Sequence, residues 1–280
     1  MEIVLHRDVV EFAEHAKPLY DADPYRHTVA LTVLDTASEL GDPLTTMLTV
    51  RDGGTTVAAA MRSPRRPLLA SGIPAELAVA VDAALAGSDP ELPGVAGPQR
   101  EASAFAAAYT ARTGGAVHVG LRLRLFRLGT LVPPTGVLGA PRLATEADLD
   151  VLGAWRAAFG GEAGHEEVDP VSLRDRARGA IRLGSAEMLW EVDGRPVSLA
   201  SAQRPVAAMT RVGPVYTPPE LRGHGYAAAA TAAASQWALD AGAERVVLFT
   251  DLANPTTNRL YPRLGYQPVH DALELRFVRS

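Results

Sequence analysis

A weak internal repeat constrains the fold of this 280-residue chain more than any other feature. In each half, an Asp-Gly pair separates two alternating runs, which is typical of a β-hairpin. A Pro-x-Glu-Leu run then opens a helix, and an alternating strand ends the half. The matching segments are residues 48–61 and 189–201, 74–77 and 218–221, and 121–126 and 273–277. Three matches in one order predict two copies of one α+β fold, each a mixed central sheet flanked by helices.

The boundary between the copies is predicted within residues 130–139, where Pro133-Pro134 and two glycines interrupt the pattern. We therefore expect a first domain over residues 1–135 and a second over residues 139–280. The strand predicted at residues 272–278 is expected to complete the second domain.

The second domain contains a predicted β–α–β unit. Its parts are a strand at 209–216, a helix at 221–241 and a strand at 245–250. Such a unit has parallel strands and a right-handed crossover. Gly213-Pro214 lies inside the first strand, and proline marks an edge or a bulge because it donates no ladder hydrogen bond.

Composition excludes several classes of function. Cysteine is absent, which rules out disulfides, a thiolate nucleophile and cysteine-ligated zinc. The net charge of −5 offers no basic surface for nucleic acid, and the histidines show no metal-ligand spacing. The longest apolar stretch, residues 226–239, falls short of a membrane span. We therefore expect a soluble, cytoplasmic protein that binds no metal, nucleic acid or membrane.

The segment 215–228 has the features of an anion site. A strand ends, a short loop follows, and Gly223 and Gly225 precede a long helix. Glycines let backbone approach a ligand closely, and the first N–H groups of a helix attract negative charge. A tight loop without a ligand is the simpler alternative. A dinucleotide site is disfavoured because six residues, 217–222, separate the strand from the first glycine.

Two segments carry a resemblance to a known family. Arg222-Gly-His-Gly-Tyr-Ala227 resembles the acyl-CoA loop of the GNAT N-acetyltransferase superfamily. The segment Asn254 to Tyr266 is similar to that family's Asn…Leu-Tyr…Leu-Gly-Phe block after the fifth strand. The resemblance covers residues 141–278 and implies two GNAT-like units, each with a mixed sheet flanked by helices.

The resemblance also implies which residues hold acetyl-CoA or CoA. The loop would bind the pyrophosphate, and the strand that Gly213-Pro214 splays from its neighbour would pair with the pantetheine arm. Asn254 is also a good helix N-cap, with or without a ligand. The residues implied in binding are Val215, Tyr216, Thr217, Arg222, Gly223, His224, Gly225, Tyr226, Ala227, Asn254 and Asn258.

Tyr261 matches the family's tyrosine near the CoA sulfur, which implies that it protonates the departing thiolate. Its alternative role is packing, and Pro262, inside the same predicted helix, is expected to disturb the helix beside it. The general base stays open. The candidates are a water molecule and the side chains of His165, Glu166, Glu167, Glu187 and Glu191.

The first copy lacks the glycines and the arginine at the equivalent place, residues 74–81, and is predicted to be degenerate and non-catalytic. The second is expected to transfer an acetyl group from acetyl-CoA to an amine of a small-molecule or peptide acceptor by direct attack. A non-catalytic acyl-CoA sensor or interaction module is the alternative. The sequence is compatible with both a monomer and a homodimer.

Overall fold

A computed structural model describes residues 1–163 and 169–278. The chain forms two compact units that exchange short segments of sequence. The first unit comprises Met1–Leu125, Asp251–Ala253 and Val269–Ser280, and the second comprises Phe126–Thr250 and Asn254–Pro268. Within the described residues, no helix is both long and apolar enough to cross a bilayer.

The first unit is a mixed sheet with strand order β1-β2-β3-β4-β5-β12-β6, and only the last residues of β6 belong to the second unit. Its elements are β1 (Glu2–Leu5), α1 (Val9–Ala22), α2 (Pro24–Leu40), β2 (Thr46–Asp52), β3 (Thr55–Arg62), β4 (Leu68–Gly72), α3 (Ala78–Ser88), β5 (Gly94–Pro98), α4 (Gln99–Thr113), most of β6 (Ala116–Leu128) and most of β12 (Tyr266–Val278). β4 and β5 run parallel, and β2 pairs with β3 across the predicted hairpin, so that Asp52 lies opposite Thr55. Its core includes Leu48, Leu68 and Phe105, all fully buried.

The second unit repeats this arrangement with strand order β6-β11-β10-β9-β8-β7. Its further elements are β7 (Ala140–Leu143), α5 (Leu149–Glu162), α6 (Pro170–Arg182), β8 (Ala186–Val192), β9 (Arg195–Ala202), β10 (Met209–Tyr216), α7 (Tyr226–Asp240), β11 (Arg245–Asp251) and α8 (Pro255–Arg263). The predicted β–α–β unit is confirmed, because β10 and β11 pair in parallel with α7 between them. The predicted hairpin around Asp193-Gly194 is β8 and β9.

Helices cover both faces of this second sheet. Alternate residues of a strand face opposite sides, so Leu189 packs with α5 and α6 while Met188 packs with α7 and α8. Thr145 is the N-cap of the helical turn that leads into α5. Its hydroxyl accepts from the Ala147 N–H, and Asp148 accepts from the Thr145 N–H, which completes a capping box.

The structure differs from two predicted boundaries. The sequence predicts the long helix at 221–241, but α7 begins at Tyr226. It starts later because Gly223 and Gly225 have positive φ angles, which a right-handed helix excludes. The last strand, placed in the second domain, pairs from Ala272 to Arg276 with β5 of the first unit. An alternating pattern specifies a strand and its two faces, but it does not specify the neighbouring strand.

A fragment of residues 139–280 is expected to aggregate. It lacks β5, the partner of β12, and it lacks Phe126, which is buried in the core of the second unit beside Tyr261. Removing a buried phenylalanine side chain alone typically costs about 3–5 kcal/mol. Size-exclusion chromatography of the fragment, with and without co-expressed residues 1–135, measures the effect. A soluble, monomeric fragment with the Tm of the full chain would show that the exchanged segments are dispensable.

Candidate functional site: the carboxyl ends of two parallel strands

The two central strands of the second unit separate partway along their length. Parallel pairing of β10 with β11 runs from Met209 to Arg211, opposite Arg245 to Val247, although both strands continue further within the described residues. On its other side, β10 has a bulge against β9 between Val212 and Val215. Pro214 has no N–H to donate, and Gly213 has a φ of 144°, which glycine tolerates. The splay predicted from Gly213-Pro214 is confirmed.

The backbone directions after the bulge determine which residues face the open edge. The Tyr216 carbonyl accepts a hydrogen bond of 3.1 Å from Ser198 Oγ of β9, and Ser198 Oγ also lies 2.8 Å from Thr217 Oγ1. Successive residues of a strand direct their backbone groups to opposite neighbours. With Tyr216 directed to β9, Val215 directs its N–H and C=O to the edge where β11 has separated.

The amino end of α7 lies directly beyond this edge. Gly223 and Gly225 have φ angles of 87° and 83°, and Gly225 is the N-cap without a capping side chain. The first bond of the helix is donated by Ala229 to the Gly225 carbonyl. Within the described chain, the N–H groups of residues 226–228 therefore have no acceptor. Such a helix end attracts anions, because its unpaired N–H groups can donate hydrogen bonds and the helix dipole places partial positive charge there.

The two glycines are not equivalent. A Cβ added at Gly223 would meet no atom within 4 Å, whereas one at Gly225 would lie 3.1 Å from Val137 Cγ2. The open face of the loop is therefore at Gly223. At Gly225, a larger side chain is disfavoured by the φ angle and by the contact with Val137. The sequence did not indicate that Val137 lies beside the loop.

Arg222 stabilises the loop through its own contacts. Its Nη2 atom donates to both oxygens of Glu162, at 2.7 and 2.8 Å, and its Nε donates to the Thr217 carbonyl at 2.9 Å. Glu162 is the last residue of α5 and lies 60 positions before Arg222, so no local sequence pattern indicates the pair. The exposed ring of His224 stacks with the half-buried ring of Tyr226, with centroids 5.4 Å apart.

The two asparagines predicted to contact CoA are placed by helix capping. Asn254 Oδ1 accepts from the N–H groups of Thr256 and Thr257, at 3.1 and 3.2 Å, and thereby begins α8. Asn258 Nδ2 donates to the Asn254 carbonyl at 2.7 Å. Both lie after the carboxyl end of β11, as α7 lies after that of β10. Capping explains these contacts in full, and a role toward CoA stays a prediction.

Tyr261 is buried in the core between the sheet and α8. Its ring lies 6.5 Å from that of Phe126 and 6.0 Å from that of Tyr266. Within the described residues, its hydroxyl makes no hydrogen bond, whereas the Tyr266 hydroxyl lies 2.7 Å from Ser235 Oγ. Burial raises the pKa of Tyr261 to about 12. α8 continues through Pro262 to Arg263.

The carboxylates considered as general bases are held in ion pairs. Glu187 is buried, contacts the Arg156 guanidinium, and accepts a hydrogen bond of 2.6 Å from Ser201 Oγ. Glu191 lies 2.7 Å from Arg142 Nε. The other candidates, His165, Glu166 and Glu167, lie outside the described residues. Among the described residues, no group of three or more His, Asp or Glu side chains forms a metal site.

Comparison with known proteins identifies the class of this fold. A structure of an acetyltransferase from the GNAT family of Colwellia psychrerythraea matches with a TM-score of 0.66 at 12% identity, covering 99% of this chain and 100% of that one. A tandem GNAT protein from the clavulanic acid biosynthesis pathway matches with a TM-score of 0.59 at 14% identity, covering 99% and 98%. A GCN5-related N-acetyltransferase from Kribbella flavida matches with a TM-score of 0.55 at 20% identity, covering 81% and 88%. The chain thus has the fold of the acyl-CoA N-acyltransferases, in tandem form.

The sequence of the second unit is similar to a family of the same class. Residues 150–266 match the model of the acetyltransferase (GNAT) family. The matched segment contains the splayed strand, the glycine loop and α8. No curated protein sequence matches the chain.

Gly225→Val is expected to abolish CoA binding in a folded protein. A β-branched residue disfavours a φ of 83°, and its side chain would press on Val137, so the loop and its N–H groups must move. The matched control is Gly242→Val after α7, where φ is 89° and no atom lies near the added Cβ. Calorimetric titration with CoA should show a loss of more than about tenfold in affinity, equal to 1.4 kcal/mol, for Gly225→Val alone. Equal affinities of the two variants would exclude the loop as the binding site.

Proposed function

We propose that the second unit transfers an acetyl group from acetyl-CoA to an amine of a small-molecule or peptide acceptor. The observation that carries the proposal is the uncapped amino end of α7, next to the unpaired edge of β10. The residues fit the ligand. The free N–H groups of residues 226–228 suit a pyrophosphate, and the backbone of Val215 suits the amides of the pantetheine arm.

Acetyl-CoA supplies an activated thioester. The acceptor amine attacks the carbonyl carbon, the carbon–sulfur bond breaks, and the sulfur takes up a proton. The Val215 N–H, at the unpaired edge, is oriented to donate to the carbonyl oxygen as negative charge develops there. The Tyr261 hydroxyl has no partner among the described residues and is protonated at neutral pH, since its pKa is about 12. It therefore serves as the donor to the sulfur, and the proton released by the amine passes to water, from which the Tyr261 hydroxyl regains its own proton.

We assign no catalysis to the first unit. The segment between β4 and α3, residues 73–77, contains no glycine, and Leu77, the N-cap of α3, has a right-handed helical conformation. Without glycines at positive φ, the chain cannot bring successive N–H groups around a phosphate as residues 223–225 can. The cytoplasmic location and the choice between monomer and homodimer stay predictions.

One observation favours a non-catalytic acyl-CoA sensor as the second candidate. Glu187 and Glu191, the carboxylates proposed as bases, are both held in ion pairs. Release of free thiol from acetyl-CoA, measured with and without a panel of amines, separates the two functions. Acceptor-dependent release supports the transferase, whereas binding of acetyl-CoA without release with any amine supports the sensor.

CoA and acetyl-CoA are expected to stabilise the protein against unfolding. A ligand that binds only the native state adds RT ln(1 + [L]/Kd), about 2.7 kcal/mol at a hundredfold excess over Kd. Thermal denaturation with and without CoA measures the shift in Tm. NAD is the control and should give none, because six residues separate the strand from the first glycine, whereas in a dinucleotide site that glycine follows the strand at once. A Tm that responds to NAD and not to CoA would contradict the proposed ligand.

Tyr261→Phe is expected to lower kcat and to leave the Kd for acetyl-CoA nearly unchanged. The ring keeps its contacts with Phe126 and Tyr266, and only the hydroxyl is lost. A general acid typically raises the reaction rate about 10²–10⁴-fold. Because a thiol pKa near 8.5 already makes the sulfur a fair leaving group, we expect the decrease in kcat to be at the low end of that range. The kcat should not depend on ionisation of Tyr261 below about pH 11, since the phenol is protonated there.

Tyr266→Phe is the matched control, because it removes the other buried hydroxyl of the same aromatic cluster. It should reduce stability by about 1 kcal/mol through the lost hydrogen bond to Ser235 and leave kcat unchanged. If both variants keep the parental kcat within about twofold, far below the range for a general acid, Tyr261 has only a packing role.

A further inference from the structure

The first unit has a pocket of its own, of about 270 Å³, near the carboxyl end of β4. Its polar lining comes from α2, β4, the turn before α3 and the start of α4, and the reaction proposed above uses none of it. The charged and polar residues of the lining are Arg26, His27, Ser71, Glu76, Arg100 and Glu101.

His27 has one ring nitrogen without a protein partner. The residue is 5% exposed, its Nδ1 lies 3.1 Å from Ser71 Oγ, and its ring lies 5.1 Å from that of Tyr20. No described residue makes a hydrogen bond to Nε2. Burial lowers the pKa of His27 to about 4, so the imidazole is neutral at pH 7. A neutral imidazole in the pocket wall offers a ligand a hydrogen-bonding site without a charge.

Glu101 supplies a buried negative charge in the same wall. It is 4% exposed, and its Oε1 lies 2.6 Å from Arg26 Nη2. Arg26 is itself fixed, since its Nε donates to the Ser71 carbonyl at 3.1 Å. Glu101 Oε2 makes no hydrogen bond with a described residue. A carboxylate accepts several hydrogen bonds, so one oxygen of Glu101 is available to an ammonium group.

Arg100 and Glu76 also line the pocket, and both are exposed. Neither forms an ion pair with another described residue. Together with Arg26 and Glu101, they give the lining two positive and two negative charges. The net charge of the lining is therefore zero, which favours a ligand that carries both signs over one that carries a single sign.

We propose that this pocket binds a small amino acid, with its ammonium group on Glu101 and its carboxylate on Arg100. A guanidinium pairs with a carboxylate in a bidentate geometry, and the buried carboxylate and the His27 nitrogen accept from the ammonium group. The volume lies just below the roughly 300–1,000 Å³ of pockets for drug-sized ligands, and it suits a ligand of about the size of an amino acid.

Calorimetric titration of the full chain with each of the twenty proteinogenic L-amino acids tests the proposal. At least one is expected to bind saturably with a stoichiometry of one. The amine and the carboxylic acid that share its side chain, each lacking one charged group, should bind more than about tenfold more weakly. The proposal is overturned if none of the twenty binds at up to about 10 mM, a concentration that would occupy most of a site with a Kd of about 1 mM. It is also overturned if either single-charge analogue binds as tightly as the amino acid.

Variants locate the binding in the first unit. Arg100→Ala and Glu101→Gln should each raise the Kd for the bound amino acid at least tenfold. Their controls are Arg7→Ala and Glu91→Gln, which make the same changes at exposed residues of this unit outside the pocket. Arg100 is exposed and unpaired, so its variant reports on binding even if loss of the buried Glu101 charge prevents folding.

Two further measurements separate this site from an acceptor site in the second unit. Binding of the amino acid should persist in Gly225→Val, whose change lies in the loop of the second unit. The ¹⁵N resonance of His27 Nε2 should shift on addition of the amino acid, and that of the exposed His118 should not. Loss of binding in Gly225→Val together with an unchanged His27 resonance would place the amino acid elsewhere.

Discussion

The site depends on the point at which β10 and β11 stop pairing. The strands remain together from Met209 to Arg211 and then separate, so that at Val215 β10 still pairs with β9 but has no partner on its β11 side. A helix follows the carboxyl end of each strand: α7 after the glycine loop that follows β10, and α8 after a short turn that follows β11. In open α/β sheets, ligands bind beyond the carboxyl ends of parallel strands. The splay adds a second feature to that crevice, since it leaves unpaired strand backbone next to unpaired helix N–H groups.

The first unit has the same arrangement of strands with different chemistry at their ends. β4 and β5 pair in parallel at Leu68 and Leu69, and α3 and α4 follow their carboxyl ends. Where the second unit has a glycine loop, the first has His27 and Glu101 around a small pocket. A scaffold fixes where ligands are bound, and the loops and side chains at that place decide which ligands. The two proposals together describe two ligand sites on one fold.

The sequence predicts those parts of the structure that depend on local chemistry. The Asp-Gly pairs predict both hairpins through turn geometry, although the first turn is formed by Gly53-Gly54, one residue later than predicted, and the second by Asp193-Gly194. Gly213-Pro214 predicts the splay through a missing N–H. Features that join distant segments were not predictable. The Arg222–Glu162 pair spans 60 residues, and the pairing of β12 with β5 spans most of the chain. Long-range partners depend on tertiary packing, for which a single sequence has no periodic signal.

The contact of Arg222 with Glu162 bears on how the loop would recognise an anion. Both side chains are about half exposed, at 47% and 49%, and such a pair contributes about 1 kcal/mol or less to stability. Its main effect is on geometry, because Arg222 also binds the Thr217 carbonyl and so fixes the turn before Gly223. The positive charge is neutralised by Glu162, which leaves the backbone N–H groups as the donors for a pyrophosphate. Affinity then depends on the positions of those groups, and hence on the glycine conformations, more than on the charge of a side chain.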